Sequence, residues 1–254
     1  MRMHDVLRSV LRDDVALRSV ERDIFSVIPK KDQGHHYDKA ARFYDWMIGN
    51  RFYNRIMWGN WPGQYQDFCS QVLASATHGP VLDAGCGTLV FTARVYAQCE
   101  RPVILMDRSL GMLRRARSRL ISQAGKVPES VILLQADIFN LPFRNHAFST
   151  VQSFGMLHLF EDTHRLLNEL QRVKSMDGGL FLSSLAANNL LGESYLKLLQ
   201  RHNEVALCET SFQLQQRLKV AGVDCNLSTV GNMAYFIKLD EANCFTHTNE
   251  NMGH

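Results

Sequence analysis

The stretch "VLDAGCGTLV", residues 81–90, decides how the rest of the chain is read. An apolar run ends in an acid, Asp83, and then in two glycines, Gly85 and Gly87. This reads as a buried strand at 80–84 entering a tight turn, where bare backbone can approach a ligand closely. The third glycine of a dinucleotide loop is missing: Leu89 holds its place in a GxGxG reading and Val90 in a GxGxxG reading. The turn therefore raises a question about its cofactor, and the flanking chain has to answer it.

Working toward the C-terminus, apolar strands are expected at 102–107, 131–136, 148–153 and 178–185, with helices near 88–98, 109–122 and 161–174. Short apolar strands alternating with helical patterns predict βαβ units and a parallel sheet covered on both faces. A helical stretch at 192–221 precedes two strand candidates, 223–230 and 232–240. The Gly231-Asn232 pair between them predicts a hairpin, so one terminal strand runs antiparallel. The expected fold is α/β: a doubly wound, Rossmann-like, mostly parallel sheet of seven strands with an antiparallel terminal hairpin, preceded by helices.

Toward the N-terminus, residues 35–76 read as a helical, aromatic-rich cap segment holding all three tryptophans, Trp46, Trp58 and Trp61. Residues 1–34 contain a near repeat, "LRSVLRD" (7–13) and "LRSVERD" (17–23). Its apolar members suit an amphipathic helical arm, broken near Asp13-Asp14, that packs on the body or on a second copy as a homodimer contact. Pro29 to Gly34 reads as a linker. Residues 77–240 form the ligand-binding domain, and 241–254 a polar, disordered tail.

Composition narrows the class. A formal charge of +3 over 254 residues is too slight to imply a polyanionic partner such as nucleic acid. The six cysteines, Cys69, Cys86, Cys99, Cys208, Cys225 and Cys244, include no CxxC pair, so neither a zinc site nor a disulfide framework is indicated. No apolar run approaches the roughly 20 residues that span a bilayer. With acids interleaved near the N-terminus and no signal-peptide pattern, the expected location is the cytoplasm.

Ligands of doubly wound sheets sit beyond the carboxyl ends of the strands. Each of the first three strand ends carries an aspartate: Asp83, Asp107 and Asp137. Any one of them could simply cap the next helix; three at equivalent positions point to a ligand. A dinucleotide would bring a diphosphate against Asp83, which repels it. A cofactor with a cationic amino group and ribose hydroxyls would instead be held by such acids. S-adenosyl-L-methionine has that chemistry.

At these residues the chain resembles the class I S-adenosylmethionine-dependent methyltransferases. Residues 81–89 resemble their first motif, "LMDRSLGMLRRAR" (105–117) their second, and "QADIFNLPF" (135–143) their third. "FSTVQSFGMLHLFED" (148–162) resembles their fourth strand with the lip of the substrate pocket. "LQRVKSMDGGLFLSS" (170–184) resembles the helix–turn–strand that usually reads "LKPGG". The likeness covers about 37–240 and is closest to the small-molecule branch that includes the ubiquinone and menaquinone biosynthesis enzymes. That branch tends to open with an aromatic segment like Tyr37-Asp38 and Tyr44-Asp45.

The resemblance implies that the backbone of Asp83, Ala84, Gly85, Cys86 and Gly87 cradles the methionyl part. It places Asp107 on the ribose, with Arg108 and Met112 beside the adenosine. Asp137 faces the adenine amino group, Ile138 the ring edge, and Ser153 the transferable methyl. Tyr44 closes over the cofactor, and Tyr37 and Trp58 are substrate-pocket candidates. Leu89 departs from the pattern; it is expected on the opening turn of the following helix, side chain turned away from the cofactor.

The expected reaction is methyl transfer to an oxygen, carbon or nitrogen of a small, apolar or aromatic molecule. His158 is either a general base for a hydroxyl or enol, or a partly buried helix-start residue. "QSFG" after the fourth strand, with no NPPY, disfavours amino-methylating enzymes acting on DNA bases or protein glutamine. The basic run "RRARSR" (114–119) reads as a solvated outer face. Two alternatives remain: a module that binds the cofactor without catalysis, and an NAD-linked oxidoreductase.

Overall fold

A computed structural model of the chain describes residues 3–29, 62–75 and 78–239. The five expected central strands are present as β3 (Val81–Ala84), β4 (Val103–Asp107), β5 (Val131–Gln135), β6 (Phe148–Ser153) and β7 (Lys174–Leu185). They run parallel in the spatial order β5-β4-β3-β6-β7. In β4 the four consecutive residues Val103, Ile104, Leu105 and Met106 are all buried. Because successive side chains point to opposite faces, such a strand must be covered on both sides.

Helices supply that cover. Leu82, Ile104, Leu134, Val151 and Leu182 pack with residues of α1 (Met3–Val10), α5 (Thr163–Val173) and α7 (Ser211–Val220). Val81, Val103, Leu105 and Leu133 pack on the other face with α2 (Pro62–Ala74), α3 (Ala93–Ala97) and α4 (Leu110–Ala124). The same face continues past β7, where Phe181 and Leu185 meet Phe68, Val72 and Leu196 of α6 (Leu190–Arg201). The expected stretch 192–221 is thus two helices, α6 and α7, and the helix expected at 88–98 shortens to α3.

The terminal hairpin forms as predicted. β8 (Asn226–Val230) and β9 (Met233–Lys238) flank Gly231-Asn232, and β9 pairs antiparallel with β7, Leu182 opposite Phe236. Gly231 has φ +59°, the left-handed backbone that a two-residue turn demands.

The N-terminal arm needs a correction. Its first half is the expected helix, α1, but its second half is not helical. Residues 18–26 form a hairpin, β1 (Arg18–Glu21) and β2 (Ile24–Ser26), and β2 pairs in parallel with β5. Among the described residues the sheet therefore has nine strands, in the order β1-β2-β5-β4-β3-β6-β7-β9-β8, rather than seven. The exposed edge of β5 offers unpaired backbone groups, and pairing with them outweighs a weak local helix pattern. Ile24 and Phe25 then alternate between the two core faces.

Two residues of the basic run hold this hairpin, Arg114 from an exposed position and Arg117 from a partly buried one. Arg114 and Arg117 contact the Glu21 carboxylate at 2.7 and 3.2 Å, and Arg117 also donates to the Arg22 carbonyl. Val6, Leu7, Val10 and Leu11 are buried, and Leu7, Val10 and Leu11 join the main core, which is the packing on the body that was one of the two expected for the arm.

Candidate functional site

The strand order reverses between β3 and β6: the chain leaves β3 toward β4 and β5, then returns to β6 and β7. Helices diverge at such a point and leave a crevice at the carboxyl ends of the strands. The turn after β3 lies there. The Gly85 and Cys86 amides both donate to the Met106 carbonyl of β4, at 2.8 and 2.9 Å. Asp107, next in β4, accepts from the Gly87 amide at 2.9 Å through Oδ2 and from the Ser109 amide at 2.8 Å through Oδ1. The end of β4 thus fixes the glycine turn and the start of α4 together.

The two glycines are required for different reasons. Gly85 has φ +82°, and a Cβ there would lie 2.7 Å from the Met156 sulfur. Gly87 has φ +59°, the left-handed backbone that favours glycine, and a Cβ there would meet none of the described residues within 4 Å. Leu89 also has φ +57°, the conformation that a third glycine would adopt without strain. It precedes α3 instead of opening it, and its side chain is 2% exposed, packed with the cluster containing Tyr96 and Leu113.

For Leu89 the strained backbone costs about 1–2 kcal/mol, whereas burying leucine contributes about 1.5–3 kcal/mol and its removal leaves a cavity. Burial wins. Leu89→Gly is therefore expected to lower the melting temperature by several degrees while changing cofactor affinity by less than about threefold, read by thermal unfolding and calorimetry. A large gain in affinity would contradict this.

Asp83 is 3% exposed, beneath the turn. Its Oδ2 accepts from the Tyr96 hydroxyl of α3, and Gln152 Nε2 of β6 donates to that same hydroxyl. Asp83 Oδ1 and Gln152 Oε1 are buried without a partner among the described residues. Burial raises the Asp83 carboxyl to about 6, against the opposing bonds from Tyr96 and Gln152 and with a further push from the Asp107 charge. Burial likewise raises Asp107, opposed chiefly by the Ser109 and Gly87 amides that donate to it. Unpartnered buried acceptors are rare and call for an explanation.

The other sequence-derived candidates fall in three groups. Arg108 and Asp137 come together as an ion pair, and Asp137 Oδ1 accepts from the Phe139 amide at 2.9 Å. The Asp137 carboxylate assigned to adenine is thus shared with Arg108, the residue assigned beside the adenosine. Met112 is half-buried on the first turn of α4, its amide capped by Ser109. Ile138 and Ala84 belong to the main core cluster. Ser153 is 1% exposed and donates to the Ala84 carbonyl at 2.8 Å, linking the ends of β6 and β3. Tyr37, Tyr44, Trp58 and the tail 241–254 lie outside the described residues.

His158 sits in a 3₁₀ turn (Leu157–Leu159) and is 6% exposed. Its Nδ1 accepts from the Leu185 amide at 3.2 Å, so its proton is on Nε2. Burial lowers its pKa to about 4. A group this reluctant to take a proton is a weak base at neutral pH, and the geometry favours the buried helix-start reading over the general base.

Sequence reasoning missed Tyr96, Gln152, Met156 and Tyr65. Tyr65 of α2 has its hydroxyl 3.2 Å from Ser183 Oγ, and its ring packs against Phe91 and Phe154 beside the strand ends. One signal was present: Gln152 is a polar residue in a strand expected to be buried on both faces.

Comparison with known proteins agrees with this geometry. Residues 81–178 match the family model described as a methyltransferase domain. An uncharacterised methyltransferase of Arabidopsis thaliana is 29% identical over 135 residues (51% of this chain, 37% of that protein). The Bacillus subtilis methyltransferase YodH is 34% identical over 110 residues (43% and 45%). The chain thus spans less than half the length of these two curated relatives. A demethylmenaquinone methyltransferase of Lactobacillus johnsonii is 27% identical over 187 residues (70% and 73%). Among solved structures, the Streptomyces coelicolor geranyl diphosphate C-methyltransferase, crystallised with S-adenosyl-L-homocysteine, superposes with a TM-score of 0.52. It is 13% identical, over 69% of this chain and 74% of that one. The strand order and the glycine turn agree with that match: residues 81–178 are similar to a methyltransferase domain.

Proposed function

We propose that this chain transfers a methyl group from S-adenosyl-L-methionine to an oxygen, carbon or nitrogen of a small, apolar or aromatic molecule. One observation carries the reading. A buried carboxylate oxygen of Asp83, unpartnered among the described residues, lies beneath a glycine turn where none of those residues comes within 4 Å of a Cβ placed on Gly87. An acid in that place repels a diphosphate and attracts a cation, which separates this cofactor from NAD.

Bound there, S-adenosyl-L-methionine supplies a methyl group on a cationic sulfur. The chain's own residues bind and orient. The turn Asp83–Gly87 receives the amino acid part, and Asp83 its ammonium. Asp107 has a lone pair left on each oxygen for a ribose hydroxyl after its backbone bonds are made. Asp137 meets the adenine edge by sharing or yielding its contact with Arg108. Tyr65, Phe91 and Phe154 supply apolar surface beside the strand ends, suited to orienting a flat acceptor and excluding water. His158 is neutral and bonded to Leu185, so an amine or phenolate acceptor would attack through its own lone pair and release any surplus proton to solvent.

One relative supports a small acceptor, being named for demethylmenaquinone. The test is transfer of labelled methyl from the cofactor to panels of quinols, phenols and amines. Turnover with a member of one panel is expected. Cofactor binding with no labelled product in any panel would favour the module that binds without catalysis.

A further inference from the structure

Beneath the glycine turn, three elements converge on one hydrogen-bonded chain whose purpose the core alone does not supply. Tyr96 of α3 is fully buried, and its hydroxyl lies between Asp83 of β3 and Gln152 of β6. Asp83 and Gln152 face each other in the parallel pairing of their strands. An ionised carboxylate can only accept, so the Tyr96 proton points to Asp83, and Gln152 must present its amide nitrogen to Tyr96. That choice leaves Gln152 Oε1 without a partner among the described residues, as observed. A core built for stability alone would hold an apolar side chain at each of these places, since unpartnered buried acceptors each cost about 1–3 kcal/mol.

We propose that Tyr96, braced by Gln152, is a positioning residue: it holds one oxygen of Asp83 so that the other receives the cation of the cofactor's amino acid end. The proposal rests on the methyltransferase reading of the site. The groups facing Asp83 are few: Tyr96 from α3, Gln152 from β6, Cys69 from α2, Asp107 from β4 and the Cys86 thiol in the turn. Cys69 is pushed up to about 12 and Cys86 is also raised, both chiefly by burial, so neither adds charge at neutral pH. Asp107 opposes the ionisation of Asp83, and the bonds from Tyr96 and Gln152 favour it. Tyr96 is the member whose hydroxyl can be removed with the smallest change of shape.

The experiment compares the unaltered chain, Tyr96→Phe and Gln152→Leu by calorimetry, with S-adenosyl-L-homocysteine and adenosine as probes between pH 5 and 7. Adenosine lacks the amino acid end and so reports the rest of the site. Tyr96→Phe is expected to weaken S-adenosyl-L-homocysteine about tenfold at pH 7, to leave adenosine within about twofold, and to move the midpoint of the pH dependence upward. Gln152→Leu, which removes an amide that favours ionised Asp83 less than Tyr96 does, is expected to move affinity and midpoint in the same direction by less. Equal weakening of both probes, or an unmoved pH midpoint, would make Tyr96 merely structural and overturn the proposal. Binding of neither probe by the unaltered chain would overturn the cofactor reading and the proposal with it.

Discussion

Asp107→Ala is expected to reduce cofactor affinity by about a hundredfold or more and to destabilise the fold measurably. Both effects come from one carboxylate. Its oxygens accept the amides of Gly87 and Ser109, so removal frees the glycine turn and the start of α4 together. Each donor left without a partner costs about 1–3 kcal/mol, less where water can reach it. The bound cofactor would also lose two charge-assisted bonds from its ribose, each worth about 1.5–3 kcal/mol. Even the low end, about 3 kcal/mol, is a factor above a hundred in affinity. Calorimetry and thermal unfolding on the same variant read the two losses. Normal affinity with lowered stability would assign Asp107 to the loop alone.

The second large effect concerns Asp83 and pH. Its carboxyl is raised to about 6 in the folded chain, so folding without ligand favours the protonated form. That contribution is fully present below the ordinary carboxylate value and is lost as pH rises through about 6. A shift of about two units corresponds to about 3 kcal/mol held against the ligand-free protein at neutral pH. A cofactor ammonium would favour the ionised form and recover part of it. Affinity is therefore expected to rise about tenfold between pH 5 and 7, then to level off. Asp83→Asn is expected to bind weakly with little pH dependence, yet to melt at a higher temperature than the parent at pH 7. An equally stable variant with an unchanged pH profile would sink this account of Asp83.

The opposite effects expected of Asp83→Asn explain why parts of this protein were legible in its sequence and others were not. The five central strands announced themselves because buried parallel strands are apolar along their whole length, as in residues 103–106. The hairpin at Gly231-Asn232 was legible because few residues tolerate the left-handed turn. The β1–β2 hairpin was hidden: its strands are three and four residues long, and what makes them strands is the edge of β5, more than 100 residues away in the chain.

The site divides in the same way. Asp83, Gly85, Gly87 and Asp107 could be found because each is the residue type its strand end requires. Tyr96 could not, since a tyrosine on the apolar side of a short helix reads as core. Its meaning depends on Gln152, which the fold brings to it from 56 positions away. His158 stayed open between two readings in the sequence for a related reason. Its place after the fourth strand suggests a base, whereas its burial and its bond to the Leu185 amide are visible only in three dimensions.

The claim on which the rest depends is that the turn at Asp83–Gly87 takes a cationic amino acid cofactor and refuses a diphosphate. A calorimetric titration at pH 7.5 with S-adenosyl-L-homocysteine, repeated with NAD, tests it directly. The account predicts one S-adenosyl-L-homocysteine site per chain and no heat of binding from NAD; saturable NAD binding without S-adenosyl-L-homocysteine binding would contradict it.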